Sequence, residues 1–372
     1  MSKEFSIAGN CVPELNYMVD ITSRLDEISE MVDKGQYLTI NRARQFGKTT
    51  TMGLLKRHLA DKYYVWALSF ESFSNETYEN EDIFVRDFLE DILLPKVEDD
   101  LMTVQYIHSI LDSPKPTRVT KLGTLLKKIC KSQERKIVMM IDEVDQACNN
   151  QVFLDFLGIL RSMYLDRYDS GAAFQSVILA GVYDIKNIKL KIQDEKVRRY
   201  NSPWNIADEF KVDMSFSPAD IATMLKQYEE EYNLGIDIEW FSEQIYAYTS
   251  GYPFLVSYIC KRLDEDVWKE DGFGSKRVAW TSVGFQRAVN LALSSKTILF
   301  GDMLKKLTDF PELNGLIQTI LLQGIEPSAN IYDPNIQLGM MFGFLKEQDG
   351  KVMVANRIFE TRIYNWLISE NQ

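Results

Sequence analysis

Lys48 and Thr49, with Gly47 behind them and a basic turn before that, are the residues of this chain best placed for chemistry. They lie in residues 35–50, GQYLTINRARQFGKTT, where a strand-like run, Tyr37–Ile40, leads through the turn into a helix. A nucleoside triphosphate must be met by several positive dipoles at once. The backbone N–H groups of a tight turn and of a helix N-terminus supply them. In that order of elements Gly47 lets the backbone approach closely. The Lys48 ammonium suits the space between the β- and γ-phosphates, and the Thr49 hydroxyl suits Mg²⁺. One residue departs from the usual G-x-x-x-x-G-K-[ST] spacing. Arg42 stands at the first glycine, so the loop turns without that glycine's freedom at positive φ. Taken alone, the same residues also suit an ordinary basic turn before a helix.

A second stretch changes the balance. Residues 136–145 read KIVMMIDEVD. The apolar run Ile137–Ile141 fits a strand buried on both faces of a parallel sheet. It ends on Asp142 and Glu143, which suit a carboxylate for Mg²⁺ and a carboxylate that orients an attacking water. A core strand stopped by a solvated acidic turn would look the same. The two stretches together, in this order and 94 residues apart from Lys48 to Asp142, point to a nucleotide-hydrolysing site.

The elements that must position these residues are legible as alternating patterns over residues 1–215. Helices are expected at Asp26–Asp33, Thr49–Ala60, Asp82–Val97, Tyr106–Leu111, Val119–Lys131 and Gln151–Tyr168. Strands are expected at Tyr63–Phe70 and Ser176–Ala180 as well as the two named above. Such alternation implies an α/β fold with a doubly wound parallel sheet and a ligand at the carboxyl ends of its strands. Beyond residue 215 the strand signals vanish. Ser217, Pro218 and Asp220 make a good helix start, and helices follow at Ile221–Tyr232, Trp240–Tyr248 and Phe254–Trp268. The chain stays helical to about Leu322. Phe342–Leu345 and Lys351–Val354 then suit a hairpin around Gln348–Gly350, before a last helix Arg357–Ile368. The expected domains are a core at 1–215, a helical lid at 216–295 and a winged-helix-like module at 296–372.

Composition narrows the function classes. The 372 residues are 45% hydrophobic, enough for two or three cores. No apolar run is long enough to cross a membrane, and no signal-peptide core opens the chain. Cys11, Cys130, Cys148 and Cys260 are scattered without paired spacing and suit thiols in a reducing cytoplasm. Two histidines, His58 and His108, fall in no metal-ligand pattern, and no G-x-S-x-G elbow is present. The formal charge of −12 opposes broad affinity for nucleic acid without excluding a small basic patch.

The motifs also carry a family resemblance. Arg44–Thr50 (RQFGKTT), Ile141–Val144 (IDEV), Ser202–Ala207 (SPWNIA), Met214–Ser217 (MSFS), Thr249–Phe254 (TSGYPF) and Ala355–Phe359 (ANRIF) resemble the bacterial AAA-like ATPase family, related to archaeal-type and STAND ATPases in the AAA+ class. In that family the phosphate loop commonly reads R-x-R-x-F-G-K-[ST], so the resemblance makes Arg42 an expected residue. It implies a P-loop NTPase (AAA+-like) fold with ATP and Mg²⁺ as ligands. The nucleotide contacts it implies are Arg44, Gln45, Phe46, Gly47, Lys48, Thr49 and Thr50, with Tyr17 and Val19 at the base and Pro253 of the lid's G-x-P motif. Thr49 and Asp142 would hold Mg²⁺, and Glu143 and Lys48 would be catalytic. Gly181–Asp184 falls at the sensor position, and Arg198 and Arg199 precede a loop, where they suit a solvated basic turn better than an arginine finger. The expected function is a nucleotide-controlled switch on a protein partner, with oligomers open. The alternatives are a DNA-handling ATPase using the winged helix and a nucleotide-stabilised scaffold with little turnover. Residues 311–372 hold four Lys/Arg against seven Asp/Glu, which favours a protein partner. Sequence chemistry leaves ATP and GTP undistinguished.

Overall fold

A computed structural model describes every residue except 1, 71–72, 148–149, 183–205, 207, 210–212, 331 and 371–372. The chain packs as two compact units. One, the sheet unit, comprises Ser23–Asn41 and Thr51–Lys211. The other, the helical unit, comprises Met1–Thr22, Arg42–Thr50 and Val212–Gln372.

The first part of the chain runs α1 (Thr22–Asp33), β1 (Leu38–Asn41), α2 (Lys48–Leu59), β2 (Tyr64–Ser69), α3 (Asn75–Glu79), α4 (Glu81–Asp87), α5 (Leu101–Leu111) and α6 (Val119–Ser132). It continues through β3 (Ile137–Asp142), α7 (Val144–Ala147), α8 (Gln151–Leu165), α9 (Arg167–Ser170), β4 (Ser176–Gly181) and β5 (Asp208–Glu209). The five strands form one parallel sheet in the order β2-β3-β4-β1-β5. Parallel strands are covered on both faces, which is why β3 and β4 are almost continuously apolar. Trp66, Leu68, Met139, Ile141, Val177 and Leu179 project to one face. They share a core with Phe84, Phe88, Leu122, Leu126, Phe153 and Phe156. The alternate residues Leu38, Ile40, Val138, Met140, Ile178 and Ala180 are buried too. The sheet is the expected doubly wound P-loop type.

Local departures have local causes. The single helix expected over 82–97 is three pieces: α4, a π-helical turn Phe88–Leu93 and a 3₁₀ turn Leu94–Lys96. Pro95 cannot donate an i→i−4 bond, and the wide turn lets Phe88, Leu89, Ile92 and Leu93 all be buried. The helix expected to reach Tyr168 stops at Leu165, and α9 is closed by Gly171 at φ 63°. β5 is only two acidic residues long and carries no apolar pattern to betray it.

The helical unit continues with α10 (Pro218–Tyr232), α11 (Ile238–Thr249), α12 (Pro253–Glu265), α13 (Lys276–Ala279), α14 (Ser282–Ser294), α15 (Ile298–Asp309) and α16 (Pro311–Gln323). It ends with α17 (Pro334–Met341), the antiparallel hairpin β6 (Leu345–Gln348)–β7 (Lys351–Val354) and α18 (Arg357–Glu370). The expected start at Ser217 is a full capping box. Its side chain accepts from Asp220 N–H, and the Asp220 carboxylate accepts from Ser217 N–H. The first hairpin strand starts at Leu345 rather than Phe342. Gly343, at φ 73°, turns the chain just before it, and Asp349 and Gly350, at φ 52° and 75°, make a two-residue type I′ turn. An aromatic core of Phe5, Tyr17, Tyr228, Phe241 and Trp280, with neighbouring centroids 4.8 to 6.3 Å apart, ties the N-terminal segment to α10 and α11.

Candidate nucleotide site

The chain leaves β1 at Asn41 and passes through Arg42–Gly47 into α2 at Lys48. Gly47 stands at φ 77° and Gln45 at φ 55°, so two residues of the loop share the left-handed region. The Lys48 ammonium folds back over the loop, donating to the Arg42 carbonyl at 2.9 Å and the Ala43 carbonyl at 3.0 Å. Thr49 is exposed on the first turn of α2, and the Thr50 hydroxyl accepts from Cys11 N–H at 3.2 Å. The Gln45 Oε1 is buried and accepts no hydrogen bond from a described residue.

The loop is seated in the C-terminal helices. Tyr252, the residue before Pro253 at the head of α12, donates its hydroxyl to the Arg44 carbonyl. Its ring meets Phe46 edge-on at 4.8 Å and Phe359 of α18 at 5.3 Å. Burial pushes the Tyr252 phenol far above its ordinary range, so it stays a donor. The Arg44 guanidinium is 60% exposed and lies 3.7 Å from Asp302 of α15, which also pairs with Lys306 at 2.8 Å. Gly343 comes so close to Ala43 that a β-carbon at 343 would sit 2.7 Å from the Ala43 Cβ. Pro253 is buried at the first position of α12. Gly251 behind it leaves no room for a side chain, because its Cβ would lie 2.1 Å from the Phe216 carbonyl oxygen.

Tyr17 and Val19 are both buried. The Tyr17 ring packs on Phe5 and Tyr228, and its hydroxyl donates to Glu231 at 2.5 Å. Burial and then the Glu231 carboxylate push that phenol far up. The ring is therefore part of the helical unit's core.

Asp142 closes β3 opposite Ser69 of β2. Glu143 follows at φ 54°, with its N–H donating to Asp142 Oδ1 at 2.9 Å. Among the described residues five non-glycines have positive φ. Asn233 and Ser250 close helices and Asp349 sits in the hairpin turn, where such φ values are routine. The other two, Gln45 and Glu143, fall in the two motifs. Gly181 and Val182 are buried at the end of β4. Tyr183, Asp184, Arg198, Arg199 and most of the 202–207 motif lie outside the described residues.

Among the described residues no group of three His, Cys, Asp or Glu side chains can cage a metal. Tyr252 and Phe359 lie inside the TSGYPF and ANRIF motifs, whereas Asp302 and Gly343 carry no sequence signal for a role at the loop.

A family model described as an AAA-like domain matches residues 17–271. No curated protein matches the chain. Among solved structures, a Walker-type ATPase of Pyrococcus abyssi superposes with a TM-score of 0.61 at 15% identity, covering 97% of this chain and 99% of that one. The Aeropyrum pernix ORC2 protein gives 0.47 at 11%, covering 98% of each chain. The Thermotoga maritima RuvB Holliday junction branch migration motor gives 0.44 at 14%, covering 94% and 96%. At 15% identity the Pyrococcus structure shows a shared fold. Among the described residues no helix is long and apolar enough to cross a membrane. With more than half of its length matched by the family model and both nucleotide motifs in place on the strands, this chain belongs to the AAA-like family of P-loop ATPases.

Proposed function

We propose that the chain is a Mg²⁺-ATP-dependent switch that acts on a protein partner in the cytoplasm. The observation that carries this reading is the seating of the phosphate loop. Arg44, Phe46 and Ala43 are held by Tyr252, Asp302 and Gly343, all from the C-terminal half, with Phe359 packed against Tyr252. A ligand that reshapes the loop must disturb those partners, and so favours one arrangement of the terminal helices over another. In this reading residues 1–215 are the catalytic core, 216–295 the lid and 296–372 the winged-helix-like output.

The residues take definite roles. Lys48 gives up the Arg42 and Ala43 carbonyls for phosphate oxygens, which costs little because one set of acceptors replaces another. The loop amides and the head of α2 complete the cradle. Thr49 and Asp142 hold Mg²⁺, which when bound neutralises charge on the β- and γ-phosphates. Glu143 orients the water for in-line attack. Where an arginine finger acts it adds about 10³–10⁵ in rate, so without one turnover is slow and the bound state long-lived.

Lys48→Ala is expected to abolish ATP binding in fluorescence titration. Glu143→Gln should keep binding and lose turnover by about 10²-fold or more. Unchanged hydrolysis in the Glu143→Gln protein removes Glu143 from its role. The partner is sought by capture with the ATP-loaded Glu143→Gln protein. The terminal module's excess of acidic residues favours a protein surface there over a phosphate backbone.

A further inference from the structure

Strand β2 ends the sheet, and among the described residues no strand but β3 pairs with it. The ladder decides which of its main-chain groups are spent. The Tyr64 N–H donates to the Lys136 carbonyl at 2.9 Å, so Tyr64, Trp66 and Leu68 turn both of their groups toward β3. Alternation then turns Val65 and Ala67 the other way. Their N–H and C=O groups make no hydrogen bond to a described residue. Both residues are part-exposed, and Tyr64 before them is 37% exposed. An open edge of this kind is a template for a further strand. The opposite edge is blunted by contrast, since β5 is only Asp208 and Glu209.

Two cations stand at the head of the open edge. The Tyr64 hydroxyl donates to the Lys96 carbonyl at 2.7 Å, which fixes the 3₁₀ turn Leu94–Lys96 beside the first residue of β2. Lys56, exposed on α2, lies close enough for its charge to act on Lys96. Burial first, and the Lys56 charge second, hold the Lys96 ammonium below its ordinary range. Neither ammonium has an ion pair or a hydrogen bond among the described residues. Two like charges held together, one of them partly desolvated, favour a carboxylate beside them. β2 carries no acidic residue, so the same strand of a second copy would bring them none.

We propose that the open edge of β2 is a docking surface for an extended, acidic peptide segment of a protein partner. The segment adds a strand to the sheet. Its main chain pairs with Val65 and Ala67, and a carboxylate at its end meets Lys56 and Lys96. Neither the edge nor the lysines belong to the nucleotide motifs, so the inference goes beyond the switch reading and stands without it.

The test is fluorescence anisotropy of labelled synthetic peptides on the full chain without nucleotide. The probe alternates Thr and Val and carries a pair of Glu at each end. One control has Lys in place of Glu. Two others have alternate main-chain nitrogens methylated, one in each register. The Glu peptide should bind, and the Lys peptide should bind at least about tenfold more weakly. One methylated register should lose about tenfold or more, and the other, whose methyl groups face away from β2, should keep binding. Lys56→Gln combined with Lys96→Gln should weaken the Glu peptide by about fivefold and blunt its sensitivity to salt. Ala67→Pro removes an outward N–H without touching the β3 ladder and should weaken it by about three- to tenfold. The lysine variant keeps the test decisive should Ala67→Pro fail to fold. No binding of the Glu peptide overturns the proposal, as does equal binding of the Lys peptide or of both methylated registers. Aggregation of the lysine variant, with a wild type that ignores the peptide, overturns it by making the lysines mere guards of the edge. A wild-type dimer that dissociates in Ala67→Pro, again without peptide binding, overturns it in favour of a second copy.

Discussion

Tyr252 touches the phosphate loop twice, once with its hydroxyl on the Arg44 carbonyl and once with its ring on Phe46. The two contacts separate cleanly by mutation. Tyr252→Phe keeps the ring between Phe46 and Phe359 and removes the hydroxyl, which should cost about 1 kcal/mol of stability in urea unfolding. Because that hydroxyl shapes the loop before any phosphate arrives, ATP should also bind about threefold or more weakly. Equal ATP affinity in the variant would make Tyr252 a packing residue only. At this scale the sequence showed the residues whose chemistry is intrinsic: Lys48, Thr49, Asp142 and Glu143 are recognisable by type and spacing. Tyr252 and Asp302 are not, because each acts on a residue more than about two hundred positions away and no local pattern records such a contact. Arg44 illustrates the difference. Its type suggests a phosphate ligand, whereas its guanidinium lies beside Asp302.

At the level of elements the strands and helices with strong periodicity were legible, and the failures cluster where chain direction is set by φ. Gly343 delays the first hairpin strand, and Pro95 with a π-helical turn breaks the helix after Asp87. β5 has no side-chain pattern because pairing with β1 alone creates it. Two glycines make a contrast that tests the role of space against that of backbone strain. Gly350, at φ 75°, has nothing within 4 Å of a would-be β-carbon, so Gly350→Ala should cost about 1 kcal/mol. Gly251, at φ 71°, is blocked by the Phe216 backbone as well, so Gly251→Ala should cost more than about 3 kcal/mol and detach α12 from the start of α10. Urea midpoints of the two variants decide it, and similar losses would show that the Phe216 contact yields easily.

For the whole molecule the net charge of −12 sets the behaviour in salt and acid. Hydrogen bonds from Lys62 and Tyr63 hold Asp33 below the usual carboxylate range, as those from Thr22, Thr103 and Arg287 do for Asp20, Asp100 and Glu270. A carboxyl depressed in the fold stabilises it fully above the unfolded value. That contribution is lost as pH falls through the folded one. Stability should therefore hold down to about pH 5 and decline below about pH 4, as read by thermal unfolding across that range.

Membership of the two units has a consequence for inheritance. The phosphate loop joins two elements of the sheet unit, yet it is packed as part of the helical unit. A fragment ending at residue 215 would keep every residue of both nucleotide motifs and lose Tyr252, Asp302 and Gly343. The terminal helices are thus no detachable cassette. Ala43 and Gly343 share a space that holds one β-carbon, so descendants of this chain can change the loop and its seat only as a matched pair.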